Sequence, residues 1–320
     1  MENKIRFGIP KGSLEKATLE LFRKAGYPIS GSERSYRLQC SVPGLEFILL
    51  RPQEIPSAVA RSTLDAGITG MDWVLDSNVE TIPVLKDKNG VTSLSGACRN
   101  GETVAEVTKL QYSKSTLGNV SWVLAVPFES CIKKASDLNG LVVSTELVNV
   151  TTKFLERNGV TANVKFSWGA TEAKPALGLA DAIVDLVETG ASLKSNGLRI
   201  VAAVIESYTT LIANVVSYTN PVKKQKIDDI STLLRSALDA RNKVGIKMNS
   251  MKKDIGKILQ VLLPNGVYGA NSPTISDLAN PGWVALEVIV DEERIQGLIP
   301  ELKRSGASGI IEYPLNKIVM

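Results

Sequence analysis

Histidine is missing from this sequence of 320 residues. Because imidazole is the commonest general base and a ligand of most zinc sites, its absence excludes His-assisted serine or cysteine nucleophiles and nearly all zinc enzymes. Any catalysis by this chain must depend on positioning, carboxylates, cations and a hard metal ion.

Cysteine is scarce as well. Cys40, Cys98 and Cys131 are odd in number and widely separated. This spacing fits neither a disulfide framework nor a CxxC metal site, and we interpret the three residues as buried or incidental thiols.

Long apolar runs and dense charge of one sign are also missing. No apolar stretch approaches transmembrane length, and residues 1–10 are charged and lack the apolar core of an export signal. The net charge is only +4, and the basic residues are dispersed. We therefore expect a cytoplasmic protein with no nucleic-acid partner and no membrane association.

What the sequence does contain is typical of a soluble α/β protein. Hydrophobic residues make up 44% of the chain and charged residues 22%, and the length allows two or three domains. Apolar strand patterns alternate with helical patterns, at residues 5–9 and 14–25 and again from residue 121 to residue 217. Alternation of this kind predicts a mainly parallel sheet with right-handed crossovers.

One segment has the pattern of an anion-binding site. A buried strand is predicted at residues 182–187, followed by a turn and a short helix that stops at Gly197. The free amides at such a helix start, together with its dipole, favour a phosphate. The predicted phosphate-binding residues are Thr189 as N-cap, Gly190, Ala191, Ser192 and Leu193.

Two carboxylates accompany that turn, Asp185 on the strand and Glu188 at its end. They could hold a sugar phosphate by its hydroxyls and, through Mg²⁺, a diphosphate. The combination outlines a phosphoribosyl diphosphate site, although ordinary α/β connections show the same periodicity.

The residues of this segment resemble the signature of the ATP phosphoribosyltransferase family, which catalyses the first step of histidine biosynthesis. The matching positions are Glu172, Gly178, Ala180, Ile183, Asp185, Leu186, Thr189, Gly190 and Leu193. Ser192 stands where the family has threonine, which keeps a hydroxyl, and Lys174 stands where relatives tend to have proline.

Two earlier segments resemble the same family. The string PKGSL at residues 10–14 is typical of its nucleotide site, and the string from residue 50 to residue 72 is similar to its first lobe. The resemblance implies an ATP-binding side made of Lys11, Gly12, Arg51, Gly70 and Asp72. From the residues alone, Lys11 could be a solvated turn residue, Arg51 a surface ion-pair partner of Glu54, and Gly70 a plain turn. Ser13 and Ser121 replace arginines that many relatives carry.

The last hundred or so residues have a separate pattern. A composition change at residues 220–224 suggests a linker, and a long helix is predicted at residues 226–242. The order that follows is βαββαβ, which is ferredoxin-like. This part resembles the ACT-like regulatory domain of the family's long form, where histidine binds and inhibits. Ser272 and Thr274 lie in the matching stretch, although Ser and Thr beside a proline also shape ordinary turns.

The resemblance implies a domain plan. Catalytic lobe I would comprise residues 1–92 and 198–220, and lobe II residues 93–197 with the phosphate loop. Residues 221–320 would be the regulatory domain. The two lobes would enclose a cleft, similar to type II periplasmic binding proteins.

The resemblance also implies the reaction. N1 of the adenine of ATP would attack C1 of phosphoribosyl diphosphate, with Asp185 and Glu172 as catalytic residues. Mg²⁺ would be carried by the diphosphate without fixed protein ligands, L-histidine would inhibit, and the chain would form dimers or hexamers.

The alternatives are a two-lobed solute-binding protein, a salvage phosphoribosyltransferase of the other fold and an inactive regulatory paralogue. The salvage enzyme would have two adjacent acidic residues shortly before the TG turn, whereas Asp185 and Glu188 are separated.

Overall fold

The computed structural model describes residues 4–31, 35–87, 92–95, 102–112, 120–187, 190–263 and 273–319. The chain forms two compact units, Met1–Ser231 and Thr232–Met320. In the described ranges, no helix is both long enough and apolar enough to cross a membrane.

The first unit alternates strands and helices, as the sequence predicts. Its strands are β1 Ile5–Pro10, β2 Ile29–Ser30, β3 Arg37–Cys40, β4 Leu45–Leu50, β5 Ala66–Gly70, β6 Glu80–Lys86, β7 Thr92–Leu94, β8 Thr103–Leu110, β9 Val120–Pro127, β10 Val142–Thr145, β11 Asn163–Phe166, β12 Ala182–Val187, β13 Leu198–Ser207 and β14 Thr209–Asn214. Its helices are α1 Glu15–Ala25, α2 Ile55–Ala60, α3 Met71–Asp76, α4 Val148–Arg157, α5 Ala191–Ser195, α6 Val215–Thr219 and the start of α7 Pro221–Asp239. Short 3₁₀ helices lie at Ala135–Leu138 and Thr171–Ala173.

These strands form two mixed sheets, and each sheet with its helices is called a lobe. The sheet of lobe I has the order β2-β3-β4-β1-β5-β14-β8-β6-β7, and that of lobe II has the order β11-β10-β12-β9-β13. In lobe I, β1 is parallel to β4 and β5, whereas β14 is antiparallel to β5 and β8. In lobe II, β10 is parallel to β11 and β12, whereas β9 is antiparallel to β12 and β13.

The two lobes therefore share one strand order. The run β4-β1-β5-β14-β8 in lobe I corresponds strand by strand to β11-β10-β12-β9-β13 in lobe II. In each lobe the first three strands of this run are parallel to one another, the fourth is antiparallel to them, and the fifth is antiparallel to the fourth. The predicted α/β class with a two-lobed first part, as in type II periplasmic binding proteins, is confirmed.

The core of lobe I explains why its central strands are apolar almost throughout. Every residue of β5 and β14 is buried, as expected of strands covered on both faces. Helix α1 adds Phe22, whose ring packs edge-to-face on Phe7 of β1 at a centroid distance of 5.4 Å. Aromatic pairs of this geometry stabilise a core beyond their area burial.

Strand pairing places the lobe boundaries at points other than those expected from the sequence. Residues 103–110 form β8 and lie in the lobe I sheet, whereas residues 198–207 form β13 and lie in the lobe II sheet. The chain thus crosses from lobe I to lobe II between β8 and β9, and returns at Tyr208 between β13 and β14. Hydrophobic periodicity identifies strands but does not identify their partners, which accounts for the difference.

Two local predictions are wrong. Residues 221–224 are not a linker but the first turn of α7, and Pro221 occupies a first helical position, where its fixed φ is favourable. The sequence also predicts that the strand ending in Gly70 leads into a turn that includes residues 71–72, but these two residues begin α3. A six-residue helix directly after a strand leaves too short a pattern to be recognised.

The second unit has the predicted order of strands and helices. It contains β15 Lys243–Met251, α8 Ile255–Leu262, β16 Thr274–Asp277, β17 Trp283–Asp291, α9 Ile295–Arg304 and β18 Ser308–Pro314, with 3₁₀ turns Lys252–Asp254 and Glu292–Arg294. The sheet order is β16-β17-β15-β18 with every pair antiparallel. Alternate residues of β15 and β17 pack with α8 and α9 in one core. The ferredoxin-like βαββαβ prediction is confirmed.

A buried carboxylate ties the end of the lobe I sheet to the helices that follow β14. Asp65 is 2% exposed and accepts hydrogen bonds from the Arg6 amide at 2.8 Å and the Ser217 hydroxyl at 2.7 Å. It also pairs with the Lys223 ammonium at 2.7 Å. Burial alone raises the pKa of Asp65, but these partners outweigh burial and hold the pKa below its ordinary value.

We expect Asp65→Asn to destabilise the first unit by roughly 2–3 kcal/mol, because it leaves Lys223 without its anionic partner. Since the folded-state pKa of Asp65 is lowered, its contribution is complete above the pKa of the unfolded chain and is lost as pH falls through the folded pKa. Urea unfolding at neutral and acid pH measures both effects. The control Glu20→Gln removes an exposed ion pair with Arg23 and should cost less than about 1 kcal/mol. Equal losses in the two variants would contradict this role for Asp65.

Candidate active site

A cavity of about 760 Å³ opens where the carboxyl ends of the parallel strands in the two lobes face each other. In α/β sheets, ligands bind outside the carboxyl ends of strands. The cavity is lined by Lys11, Gly12, Ser13, Leu14, Tyr36, Leu49, Leu50, Arg51, Pro52, Gln53, Glu54, Gly70, Asp72, Trp73, Tyr112, Val120, Trp122, Glu146, Asp185, Leu186, Ser207, Tyr208 and Thr209. The structure thus brings together Lys11, Gly12, Arg51, Gly70, Asp72 and Asp185, which the sequence places on two different sides of the site.

The cations of the cavity come from lobe I. Lys11 follows β1, its amide donates to the Leu50 carbonyl at 2.7 Å, and its ammonium lies 4.1 Å from the centroid of the Tyr36 ring. Arg51 follows β4, and its amide donates to the Glu54 carboxylate at 3.3 Å. In the described part of the chain neither side chain forms a salt bridge, so both charges are available to an anionic ligand.

The opposite wall carries carboxylates from lobe II. Asp185 lies on β12 and Glu146 directly after β10. Burial raises the pKa of Asp185 to about 6, an effect partly opposed by the Leu186 amide and increased by the nearby charges of Glu172 and Glu146. Burial likewise raises the pKa of Glu146, and Arg51 and Lys174 oppose that shift. Perturbed carboxylates in a cleft are typical of functional sites.

The predicted phosphate loop lies in lobe II beside these carboxylates. Glu188 and Thr189 lie outside the described residues. Gly190 is the residue before α5 and has a φ of 76°, a left-handed conformation that favours glycine. The N-cap position therefore belongs to Gly190 and not to Thr189.

The other residues of the loop have distinct environments, and none of them lines the cavity. Ala191 and Ser192 are exposed at the start of α5, whereas Leu193 is buried in the lobe II core with Ile183 and neighbouring apolar residues. The Ser192 hydroxyl donates to the Glu172 carboxylate at 3.1 Å. This bond connects the loop to Glu172, and the charge of Glu172 in turn raises the pKa of Asp185.

Asp72 lies at the cavity wall, but its carboxylate already has protein partners. One oxygen accepts from the Trp122 indole at 2.7 Å and the other from the Trp73 amide at 3.0 Å. A Cβ on Gly70 would lie 2.0 Å from an Asp72 carboxylate oxygen. Gly70 is thus required for the carboxylate to fit.

Sequence reasoning missed the aromatic residues of the cavity and one of its carboxylates. Tyr36, Trp73, Trp122 and Tyr208 occur singly, without a motif, and Glu146 is followed by an ordinary helix pattern. Several of these residues lie near strand ends, and that position is the signal that could have identified them. It can be used only when the pairing of the strands is known, because pairing decides which strand ends meet at the site.

The two residues predicted for histidine belong to the second unit. Ser272 lies outside the described residues. Thr274 is exposed at the start of β16.

The described residues include no ready-made cluster of three or more acidic or cysteine side chains for a metal ion. Mg²⁺ commonly binds through one or two carboxylates together with substrate phosphates, and does not require such a cage. Asp185 and Glu146 at the cavity fit that mode.

The fold and the cleft define the class, a two-lobed α/β enzyme with a separate ferredoxin-like domain and a cavity suited to an anionic substrate. A family model described as HisG, ATP phosphoribosyltransferase, matches residues 51–236, and one described as HisG, C-terminal domain, matches residues 240–317. These matches confirm the resemblance found in the sequence.

Known ATP phosphoribosyltransferases are similar to this protein over nearly its whole length. ATP phosphoribosyltransferase of Chlorobaculum parvum is 46% identical over 317 residues, covering 99% of this chain and 98% of that protein. The same enzyme of Thermodesulfovibrio yellowstonii is 45% identical and covers 100% of both chains. A chain of the ATP phosphoribosyl transferase (HisG:HisZ) complex from Thermotoga maritima has a TM-score of 0.55 and 23% identity, covering 72% of this chain and 98% of that one. This last similarity concerns the fold.

The chain belongs to the ATP phosphoribosyltransferase family, whose reaction is the first step of histidine biosynthesis. The solute-binding protein and the salvage phosphoribosyltransferase of the other fold are thereby set aside.

We expect a pH-dependent step in kcat/KM near pH 6, with activity rising as Asp185 ionises above the pKa of about 6. Glu172→Gln should move this step to lower pH, because a like charge that raises the pKa of Asp185 is removed. Rate profiles from about pH 5 to pH 8 measure the shift. The control Glu156→Gln, at an exposed position on α4, should leave the profile in place. A profile unchanged by Glu172→Gln would show that Asp185 does not govern the step.

Proposed function

We propose that the cleft aligns N1 of the ATP adenine with C1 of phosphoribosyl diphosphate, and that the residues of the two walls divide the substrates by charge. The observation that carries this proposal is the distribution of charge across one cavity. Lys11 and Arg51 belong to lobe I, and Glu146 and Asp185 of lobe II line the same cavity. The lobe I carboxylates in the lining, Glu54 and Asp72, already accept hydrogen bonds from protein N–H groups. Cations suit phosphate oxygens, and carboxylates suit hydroxyl groups and a developing positive charge.

On this basis Lys11, Gly12, Arg51, Gly70 and Asp72 border the ATP and diphosphate side. Asp185 and Glu172 hold the ribose hydroxyls or stabilise the ribosyl ring as its bond to diphosphate breaks. The amides of residues 190–193, with Glu188 and Thr189, bind the 5-phosphate, which is supported by the family resemblance and by the left-handed Gly190. The C1–N1 bond forms as the C1–oxygen bond breaks, and diphosphate leaves with the electron pair.

Alignment and electrostatic stabilisation supply most of the rate in this proposal. N1 of adenine is a weak nucleophile, and the sequence offers no histidine to assist it. Positioning of two bound reactants can contribute several kcal/mol to lowering a barrier. Mg²⁺ carried by the diphosphate, with Glu146 as a cavity carboxylate that could complete its ligands, would neutralise charge on the diphosphate.

The domain roles follow from the same reasoning. The first unit carries catalysis, and the second unit, Thr232–Met320, carries regulation by L-histidine, with Ser272 and Thr274 as candidate contacts. Assembly into dimers or hexamers through this chain is part of the proposal. The ferredoxin-like order and the C-terminal family match support this assignment.

The decisive experiment mixes the purified protein with ATP, phosphoribosyl diphosphate and Mg²⁺, with diphosphatase present, and follows the ultraviolet change of adenine substituted at N1. We expect product, and we expect L-histidine to suppress it. Activity that histidine leaves untouched would refute the regulatory role while keeping the enzyme. No product under any of these conditions would identify an inactive paralogue.

We expect Asp185→Asn to lower kcat by about a hundredfold or more, because it removes the negative charge that faces the ribosyl ring. Unfolding by urea should be little changed, since Asp185 pairs with no cation in the described part of the chain. Asp181→Asn, an exposed position next to the same strand, serves as the matched control. Near-normal turnover of Asp185→Asn would remove this residue from the site.

A further inference from the structure

The two lobes are joined at the base of the cavity by the first turn of α3. The Trp122 indole of β9 donates to the Asp72 carboxylate at 2.7 Å, and the Asp72 amide donates to the Ser207 hydroxyl of β13 at 3.0 Å. The Met71 amide donates to the Tyr208 carbonyl at 3.0 Å. One turn of lobe I thus forms hydrogen bonds with β9, the first strand of lobe II, and with β13, its last strand.

The contact is buried and its polar atoms are matched. Asp72 is 4% exposed and Trp122 3% exposed. Each carboxylate oxygen has an N–H donor, because the second oxygen accepts from the Trp73 amide. A charged group shielded from water is stabilised mainly by such donors. The Trp73 and Trp122 rings also pack edge-to-face with centroids 5.8 Å apart.

A second group of contacts between the lobes lies at the other end of α3, where the boundary between the lobes is more exposed. Farther along α3, the Asp76 carboxylate accepts from the Val150 amide at 2.9 Å, and Lys153 donates to Asn78 at 2.6 Å. Those contacts lie outside the cavity lining, whereas Asp72, Trp73, Trp122 and Ser207 all line it. A change at Asp72 therefore alters the cavity wall itself.

We propose that Asp72 is a positioning residue that fixes the two walls of the cleft relative to each other through its hydrogen bond to Trp122, and that it does not contact ATP directly. This inference rests on the proposed function for its kinetic effect only. A fixed spacing of the walls matters because each substrate uses mainly one wall while the reacting atoms must meet between them.

Kinetics separate positioning from direct contact. Asp72→Asn has the same shape but a single acceptor oxygen, so it can satisfy only one of the two N–H donors. We expect KM for both ATP and phosphoribosyl diphosphate to rise and kcat to fall, with kcat/KM lower by roughly tenfold or more for each substrate. A direct ATP ligand would change the ATP KM alone, and that result would overturn the proposal.

Trp122→Phe provides the second variant, because it keeps the ring packing and removes the N–H donor. The double variant with Asp72→Asn should lose less kcat/KM than the product of the two single losses, since both changes act on the same contact. Independent, multiplicative losses in kcat/KM would overturn the proposal. The control Lys153→Ala removes an exposed bond between the lobes and should leave both KM values unchanged.

Tryptophan fluorescence tests the contact without relying on activity. Asp72→Asn should shift the emission of the natural chain, and the same substitution in the Trp122→Phe background should give a smaller shift, which comes from Trp73. If the natural protein makes no phosphoribosyl-ATP, the proposed function fails, while this spectroscopic comparison still decides whether Asp72 and Trp122 are coupled. Equal shifts in both backgrounds would refute the coupling.

Discussion

The site depends on one constraint, which is that the chain crosses between the lobes twice at neighbouring positions. Thr209 pairs with Leu110 at the edge of lobe I, and Ser207 pairs with Val120 at the edge of lobe II. The strand ends at which the chain leaves and re-enters lobe I are therefore paired neighbours, and so are the corresponding strand ends of lobe II. The chain links the two sheets near these strand ends. The carboxyl ends of the parallel strands in each lobe therefore face the other lobe, as the residues that line the cavity show. The cleft follows from this topology before any ligand-binding residue is considered.

The first unit gives a few of its carboxylates different properties through their surroundings. Asp65 is surrounded by donors and a cation, so its pKa is lowered and its charge serves stability. Burial raises the pKa of Asp185 to about 6, and the nearby carboxylates of Glu172 and Glu146 add to that shift. Asp72 is buried to a similar degree as Asp65. Burial raises its pKa, and the indole and amide donors oppose that shift. A chain without histidine thus still has a carboxyl group with a pKa of about 6, close to that of an imidazole.

Much of the fold could be predicted from the sequence because strands, helices and the βαββαβ order leave periodic patterns. The family resemblance supplied the residues at the strand ends, and six of them do meet at one cavity. The rest required long-range pairing. No pattern shows that residues 103–110 belong to lobe I, that Trp122 reaches Asp72 across 50 positions of sequence, or that Glu146 faces Arg51. Short elements such as α3 also carry too few residues for a period to be read.

The position of β14 has a consequence for the order in which the molecule can be completed during synthesis. The sheet of lobe II is made from one uninterrupted stretch, β9 to β13. The sheet of lobe I lacks the strand between β5 and β8 until residues 209–214 are available, and that strand is buried at every position. On a ribosome, β5 and β8 therefore have unpaired edges while lobe II can already close. The lobe that is translated first is the one that can be finished only afterwards.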